Sequence, residues 1–155
     1  MSFSYRNKHH IAKALQELGL KKADLREIPL SEAKSTIKNI RDRFCTRQDA
    51  RWWWQYFREN LPTYFKAVTQ AYELLDQIVP IKEEKVWFVV EEGEPVDFRL
   101  YLGTVPTIQK VIGECPAFEY YLVACDYSWL LCENHHDYLI AIGDEVVARF
   151  QKVTS

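Results

Sequence analysis

The hydrophobic pattern of this chain changes its period near Pro80, and that change limits the folds that the chain can adopt. Before Pro80, apolar residues such as Ile11, Leu15 and Leu18 recur at intervals of three and four, which is the spacing of one face of an α-helix. After Pro80, the segment 85–91 (Lys-Val-Trp-Phe-Val-Val-Glu) is rich in β-branched and aromatic residues, as β-strands are. Helices that are segregated from strands indicate an α+β protein rather than an α/β protein with alternating elements.

Four helices are predicted in the first half of the chain, over residues 8–19, 32–44, 47–59 and 62–78. Gly19 would end the first helix. Thr46 and Asp49 have the spacing of a capping box ahead of the third helix, and Pro62 stands at a first-turn position of the fourth. The apolar stripe of the fourth helix would consist of Phe65, Val68, Tyr72 and Leu75.

The second half is predicted to form strands over 85–91, 97–102, 119–125, 128–133 and 138–142, with a short helix over 106–113 (ββαβββ). Short links between strands predict hairpins, and hence a mostly antiparallel sheet. For the tail we expect a last strand over 146–150 in preference to a short helix.

Both alternating sets of side chains are apolar in 119–125 and 128–133, so these strands should be central and covered on both faces. We therefore predict a single α+β domain over residues 1–155, whose helical part (about 8–78) packs on the sheet part (about 85–150).

Features that are missing from the sequence argue against several protein classes. No stretch approaches the roughly 18–20 apolar residues of a membrane helix, and the first residues have no apolar segment of a signal peptide. The four cysteines show no C-x-x-C spacing, so we expect reduced thiols in a cytoplasmic protein. No P-loop, G-x-G-x-x-G, G-x-S-x-G or H-E-x-x-H motif occurs. We therefore expect no cofactor, and a binding protein rather than an enzyme.

The densest polar cluster is the segment 132–137 (Cys-Glu-Asn-His-His-Asp), at the turn between two predicted strands. One interpretation is a polar hairpin turn in which Asn and Asp side chains bind the turn backbone. The alternative is a metal-binding or acid–base site, because these residue types can ligate a metal or move a proton. Such a site would use Glu133, His135, His136 and Asp137, of which the last three are the metal-ligand candidates.

The segment 51–58 (Arg-Trp-Trp-Trp-Gln-Tyr-Phe-Arg) is a second candidate surface. At 100° per residue, Trp54 points about 200° away from Trp52, so one helix cannot place all five rings against one core. Three interpretations remain open: a helix buried nearly all round, a contact patch for another protein, and stacking on nucleic-acid bases. A sequence pI of about 6.1 argues against nucleic acid. The binding residues in this segment would be Arg51, Trp53, Trp54 and Arg58.

Charge is distributed unevenly along the chain. Residues 1–58 contain 13 Lys and Arg against 6 Asp and Glu, whereas residues 59–155 contain 7 against 16. Either the two parts attract each other and pack as one unit, or they present opposite potentials to different partners. An acidic second part would steer a basic partner, such as a nuclease toxin, toward the protein.

The segment 120–143, with the distinctive string 129–137 (Trp-Leu-Leu-Cys-Glu-Asn-His-His-Asp), resembles the C-terminal meander of small bacterial proteins known only as domains of unknown function. It is similar, more loosely, to the strand–turn–strand ends of immunity proteins from bacterial polymorphic-toxin systems. The resemblance implies a bacterial cytoplasmic protein that binds another protein and blocks it. We therefore predict a non-enzymatic protein-binding module of immunity or antitoxin type, with no membrane association. The enzyme or metal site at 133–137 and a nucleic-acid binder using the basic helices stay open as alternatives.

Overall fold

Seven strands form one sheet in the computed structural model, which describes residues 6–93 and 97–155. The strands are β1 (Leu25–Glu27), β2 (Thr63–Ala67), β3 (Lys85–Glu91), β4 (Phe98–Thr104), β5 (Tyr120–Ala124), β6 (Leu130–Glu133) and β7 (Tyr138–Ile142). Their order across the sheet is β1-β4-β3-β5-β6-β7-β2, and every neighbouring pair is antiparallel. The predicted α+β class and the antiparallel sheet are therefore confirmed.

Five α-helices occur in the described residues: α1 (Arg6–Glu17), α2 (Leu30–Phe44), α3 (Leu75–Ile78), α4 (Val105–Glu114) and α5 (Asp144–Val153). The helices predicted over 8–19, 32–44 and 106–113 correspond to α1, α2 and α4. Gly19 follows the end of α1 with a φ of 68°, in the left-handed region that glycine adopts readily at helix C-termini.

The sheet is covered on both of its faces. Side chains alternate along the central strand β5, so Leu122 belongs to the core on the first face and Val123 to the core on the second. Helices α1, α3, α4 and α5 contribute to the first core, whereas α2 contributes Ile40 and Phe44 to the second. The prediction that the strands near 119–125 and 128–133 are central and covered on both faces is confirmed.

The helix predicted over residues 47–59 is wrong. Trp53–Tyr56 form a single 3₁₀ turn within a loop, and an isolated antiparallel bridge closes the base of that loop. The expected capping residue Asp49 instead pairs with Arg47, at 2.9 Å. The loop buries one large ring, Trp53, completely.

The helix predicted over residues 62–78 is also wrong. This segment forms β2, a 3₁₀ turn (Ala71–Leu74) and α3. Tyr64 packs edge-on against Phe150 of α5, with ring centroids 5.1 Å apart. Gln70 has a φ of 53°, which interrupts any continuous helix. Pairing with β7 satisfies the backbone groups on one edge of β2, and this tertiary contact overrides the helical spacing of its apolar residues.

The tail is helical, so the strand predicted over 146–150 is wrong. The chain leaves β7 through Gly143, whose φ is 120°, and α5 begins at the next residue. Val146 and Phe150 are both fully buried, because residues four apart lie on one face of a helix. The prediction also missed β1, which is a three-residue edge strand paired with β4.

All four cysteines of the chain are free thiols. Cys45 and Cys132 are buried in the core of the second face, where burial raises the pKa of the Cys45 thiol to about 11 and that of Cys132 well above its usual value. Both therefore act as small apolar core residues. Within residues 6–93 and 97–155, no helix combines the length and the apolar character needed to cross a membrane.

Candidate functional site

A four-residue turn joins β6 to β7 and carries the two histidines singled out from the sequence. The buried side chain of Asn134 accepts hydrogen bonds from the backbone N–H groups of His136 (3.0 Å) and Tyr138 (3.1 Å). Asp137 has a φ of 61°, and its N–H donates to the carbonyl oxygen of Asn134 at 3.1 Å. This arrangement matches the polar-turn interpretation, with Asn134 as the residue whose side chain binds the turn backbone.

His135 is held by a buried carboxylate that the sequence did not single out. Glu119 immediately precedes β5, and its side chain is only 3% exposed. Its Oε1 lies 3.0 Å from Nδ1 of His135 and accepts hydrogen bonds from the His135 backbone N–H (3.2 Å) and the Trp54 indole N–H (3.0 Å). The Tyr121 hydroxyl donates to its Oε2 at 3.4 Å. One carboxylate thus connects β5, the loop 51–58 and the turn 134–137.

Trp52, Trp54, His135 and His136 bring their rings together, and we call them the Trp–His cluster. The ring of Trp52 lies 5.2 Å from that of His135, and the ring of Trp54 lies 5.8 Å from each histidine ring. The two histidine rings are 4.2 Å apart. The loop and the turn, which the sequence presented as separate surfaces, therefore meet in one site.

Trp53 does not reach this surface. Its side chain is fully buried, and its ring stacks on Tyr121 with centroids 4.4 Å apart. The guanidinium of Arg41 lies 5.1 Å from the same ring, and the Trp53 backbone N–H donates to the Tyr121 hydroxyl at 3.1 Å. The predicted role of Trp53 as a surface binding residue gains no support. The residue anchors the loop in the second core.

Arg51 and Arg58 lie beside the site, and each has a partner within the chain. Nη2 of Arg51 is 2.9 Å from Oε1 of Glu91, and its guanidinium is 5.6 Å from the Trp52 ring. Nη2 of Arg58 donates to the carbonyl oxygen of Asp42 at 3.0 Å. Because these cations already have partners, their placement gives no support to the nucleic-acid alternative.

The predicted polar site consisted of Glu133, His135, His136 and Asp137. Glu133 accepts a hydrogen bond from the Tyr120 hydroxyl at 2.7 Å, whereas His135 is directed to Glu119. Among the residues that the structure describes, no group of three or more His, Cys, Asp or Glu side chains is placed to hold a metal ion. The metal-ligand candidates therefore gain no support from the geometry. One feature of the acid–base alternative is present, because the carboxylate of Glu119 contacts the ring of His135.

An apolar groove of about 540 Å³ opens on the second face of the sheet beside the Trp–His cluster, and we call it the aromatic groove. Its apolar lining is formed by Trp54, Phe57, Phe65, Tyr138 and Ile140, and its polar lining residues are Arg58, Glu59, Thr63, Asn134 and His136. Phe65 of β2 stands directly opposite Ile140 of β7 in the strand register, and both contribute to the floor. Phe65 is 63% exposed and Tyr138 is 39% exposed, so the floor continues onto the surface.

A second cavity, of about 470 Å³, lies on the other side of the turn 134–137. Glu119, Glu133, His135 and Cys115 are among its lining residues. Burial, followed by the nearby charge of Glu114, raises the pKa of the Cys115 thiol to about 11. This thiol is therefore protonated at neutral pH and is a poor nucleophile.

Sequence reasoning missed Glu119 and the groove residues Phe65 and Tyr138. Glu119 carries a local signal, because it is a charged residue directly before an apolar run of five residues at 120–124. Phe65 was assigned to a helical stripe, whereas an alternating strand pattern over 63–67 would have separated it from Tyr64. No local pattern indicates that β2 pairs with β7.

The sequence matches one protein family, described as Family of unknown function (DUF6756), over residues 4–154. No curated protein and no solved structure matches the chain. The family match includes the sheet, the helices on both of its faces, the Trp–His cluster and the aromatic groove. This chain therefore belongs to the family of unknown function DUF6756.

Proposed function

We propose that this protein is a non-enzymatic binding module that takes an apolar side chain of another protein into the aromatic groove. The observation that carries the proposal is the exposure of two aromatic rings at the groove, Phe65 (63%) and Tyr138 (39%), whose centroids lie 5.9 Å apart. Contiguous exposed apolar surface marks interaction sites, and aromatic residues are frequent interface anchors. A volume of about 540 Å³ leaves room for a large side chain of the partner.

The groove walls are held in place before any partner arrives. Trp54 donates its indole N–H to the buried carboxylate of Glu119, at 3.0 Å. The backbone of His136 is bound by the side chain of Asn134, also at 3.0 Å. Binding to such preformed walls costs little ordering of side chains, which favours affinity.

Within this function, we propose an inhibitor of immunity or antitoxin type that acts on a basic partner in the cytoplasm. The excess of acidic residues in 59–155, 16 against 7, favours encounter with a basic protein. Four free thiols suit a reducing compartment. The resemblance of residues 120–143 to small bacterial proteins and immunity proteins points in the same direction.

Affinity capture with matched variants tests the groove. Wild type, Tyr138→Glu and Ile81→Glu would each be used to capture proteins from the native cell lysate. Ile81 is 51% exposed and does not line the groove, so its variant controls for added charge on an apolar surface residue. We expect wild type and Ile81→Glu to retain one protein in a 1:1 ratio, and Tyr138→Glu to lose it. With the purified partner, Tyr138→Glu should weaken binding at least about tenfold by calorimetry. Equal retention by all three proteins, or no stoichiometric partner, contradicts the proposal.

A second candidate function is acid–base catalysis by His135. The observation that favours it is the 3.0 Å contact between His135 Nδ1 and Oε1 of the buried Glu119. A carboxylate in this position orients an imidazole and leaves Nε2 free to take a proton. The His135 side chain is 43% exposed, so a substrate can reach it.

Nitrogen-15 NMR of the histidine rings tests this second candidate. The neutral His135 ring should carry its proton on Nδ1 in wild type, because Nδ1–H must donate to Glu119. Glu119→Ala should restore the Nε2–H form that free histidine prefers. His9 and His10, which lie in α1, serve as internal references. An Nε2–H form of His135 in wild type removes the basis for a general base here.

A further inference from the structure

The outer edge of β2 is open. In the described residues, β2 is the last strand of the sheet and has β7 on one side only. Thr63, Phe65, Lys66 and Ala67 are all exposed. The opposite edge strand, β1, has only three residues, and two of them, Arg26 and Glu27, are charged. Charged and short edges resist pairing with another strand, so β2 is the edge of the sheet with less protection.

The bonds at the two ends of β2 show which of its backbone groups face outward. The N–H of Val68 donates to the carbonyl oxygen of Asp137 at 3.1 Å, and the carbonyl of Pro62 accepts from Gly143 N–H at 2.9 Å. Hydrogen-bonded and non-hydrogen-bonded residues alternate along an antiparallel pair. The even-numbered residues of β2 therefore bond to β7, and the odd-numbered residues direct their N–H and C=O groups away from the sheet. The outward-facing residues are Thr63, Phe65 and Ala67.

We propose that this edge pairs with the same edge of a second copy of the chain, antiparallel and centred on Phe65, to give a dimer with one continuous sheet. A two-fold axis normal to the sheet relates the copies, so each face of the sheet stays on the same side in both. Phe65 then lies opposite Phe65 of the second copy, and Thr63 lies opposite Ala67 of the second copy. All three outward N–H groups and all three outward C=O groups of each copy find partners.

Other antiparallel registers pair the edge less well. A shift of one pair toward the C-terminal end of β2 places Lys66 directly opposite Lys66 of the second copy, which is unfavourable for like charges. A shift toward the N-terminal end places Ala67 opposite residue 61 of the second copy, which lies before β2. In either case the outward groups at one end of each strand lose their partners. The register centred on Phe65 places Lys66 beside the Tyr64 ring of the second copy and avoids both problems.

Self-pairing is favoured over pairing with a foreign strand because the edge complements itself in backbone groups and in apolar surface, and because Lys66, its only charged residue, does not lie opposite Lys66 of the second copy. The exposed rings of Phe65 and Tyr138 would continue across the axis as one apolar surface, so the two aromatic grooves would adjoin. Shared apolar area stabilises such an interface. This inference does not rest on the proposed binding function, since it is carried by the backbone of β2.

The molar mass in solution tests the dimer. At about 100 µM, above the micromolar dissociation constants of ordinary interfaces, light scattering should give about twice the chain mass of 18.4 kDa. Phe65→Lys and Phe65→Asp should each halve that mass, because residue 65 faces its own copy. An equal mixture of the two variants should restore a dimer through opposite charges. Ile81→Lys, at an exposed site away from the edge, should remain dimeric.

Amide hydrogen exchange gives a second measurement that does not depend on a variant. Exchange at Thr63, Phe65 and Ala67 should slow as the protein concentration rises, whereas exchange at Arg26 on the opposite edge should not change. A monomeric wild type at about 100 µM, or a dimer that Phe65→Lys leaves intact, overturns the proposal. Protection of Phe65 that appears only when a foreign protein is added also overturns it, since a different strand would then occupy the edge.

Discussion

Three polar side chains set the shape of the site at the scale of single residues. Glu119 holds His135 and Trp54, Asn134 holds the turn, and Glu133 accepts from the Tyr120 hydroxyl. Such buried or half-buried groups stabilise a fold when their hydrogen bonds are made and destabilise it when one partner is removed. The direction in which a substitution of these residues changes the stability can therefore be predicted.

Replacement of Asn134 by alanine should destabilise the protein by about 1–3 kcal/mol, because two backbone N–H groups of the turn lose their acceptor. Urea unfolding followed by tryptophan fluorescence measures the change. The exposed Asn60 provides a matched control, and Asn60→Ala should stay within about 0.5 kcal/mol of wild type. Equal stability of the two variants would contradict the structural role given to Asn134.

The Glu133 carboxyl should make stability depend on pH. Burial, opposed by the hydrogen bond from Tyr120, raises its pKa above the ordinary value of 4.5. The folded state therefore holds the proton more tightly than the unfolded chain does. The stability from this group is fully present below pH 4.5 and is lost as the pH rises through the folded-state pKa.

Glu133→Gln keeps an acceptor for the Tyr120 hydroxyl and has no charge to bury. Its urea midpoint should fall less than that of wild type between pH 4.5 and pH 7. Glu59, which is exposed, provides the control substitution Glu59→Gln. An identical pH dependence in wild type and Glu133→Gln would show that burial of this carboxyl has no energetic effect.

At the scale of elements, short segments differ from what their sequences predict. β2 has only five residues, and its apolar residues also fit the spacing of a helix, while α3 has only four residues. The helix α5 carries an i, i+4 pair of apolar residues, Val146 and Phe150. Taken alone, however, the five residues 146–150 fit the pattern of a strand equally well. The junction between β7 and α5 decides the outcome, and it depends on one glycine.

Gly143→Ala should destabilise the protein by about 1–3 kcal/mol. The residue has a φ of 120°, and an added Cβ would lie 2.8 Å from the Ser128 carbonyl oxygen, so both the backbone and the neighbours oppose it. Gly113→Ala is the matched control. That glycine lies in α4, and its added Cβ would meet only the Tyr72 side chain, at 3.4 Å.

The control should raise stability by up to about 1 kcal/mol, because alanine favours a helix over glycine. Thermal unfolding of both variants by calorimetry measures the difference. Opposite signs for the two variants are expected. A neutral Gly143→Ala would mean that the β7–α5 junction can adopt a second conformation.

At the scale of the whole molecule, the sheet lies between two helical layers. The central strands β3 and β5 are covered on both faces, whereas β1 lies at an edge. Protection of backbone amides follows burial and local stability. The charge asymmetry of the sequence has a modest structural counterpart, since Arg51 and Glu91 join the basic and acidic parts at 2.9 Å.

Hydrogen exchange should show this layering. The hydrogen-bonded amides of β5 should exchange on the order of 100-fold more slowly than those of β1, because opening β5 requires loss of both cores. Mass spectrometry of peptides covering Tyr120–Ala124 and Leu25–Glu27 makes the comparison. Similar exchange of the two strands would argue that the sheet opens as one unit.

The sequence by itself determined the elements that are long and strongly periodic. α1, α2, α4 and the seven-residue strands β3 and β4 lie close to where their patterns predict them, because each contains enough residues to show its pattern. The shorter strands β5, β6 and β7 also lie close to their predicted positions, because each is an apolar run bounded by turn residues. It also identified the polar turn at 133–137 and the aromatic segment 51–58 as notable. Local pattern was sufficient for these because the relevant forces act between near neighbours in the chain.

Only the tertiary structure decided the rest. The contact of Glu119 with Trp54 joins residues 65 positions apart, and the pairing of one edge of β2 with β7 fixes a segment whose local preference is ambiguous. Trp53 became a core residue because the loop turns its ring inward onto Tyr121, while Trp52 and Trp54 stay partly exposed. Such choices depend on the free energy of burying distant surfaces together, and no short window of sequence contains that information.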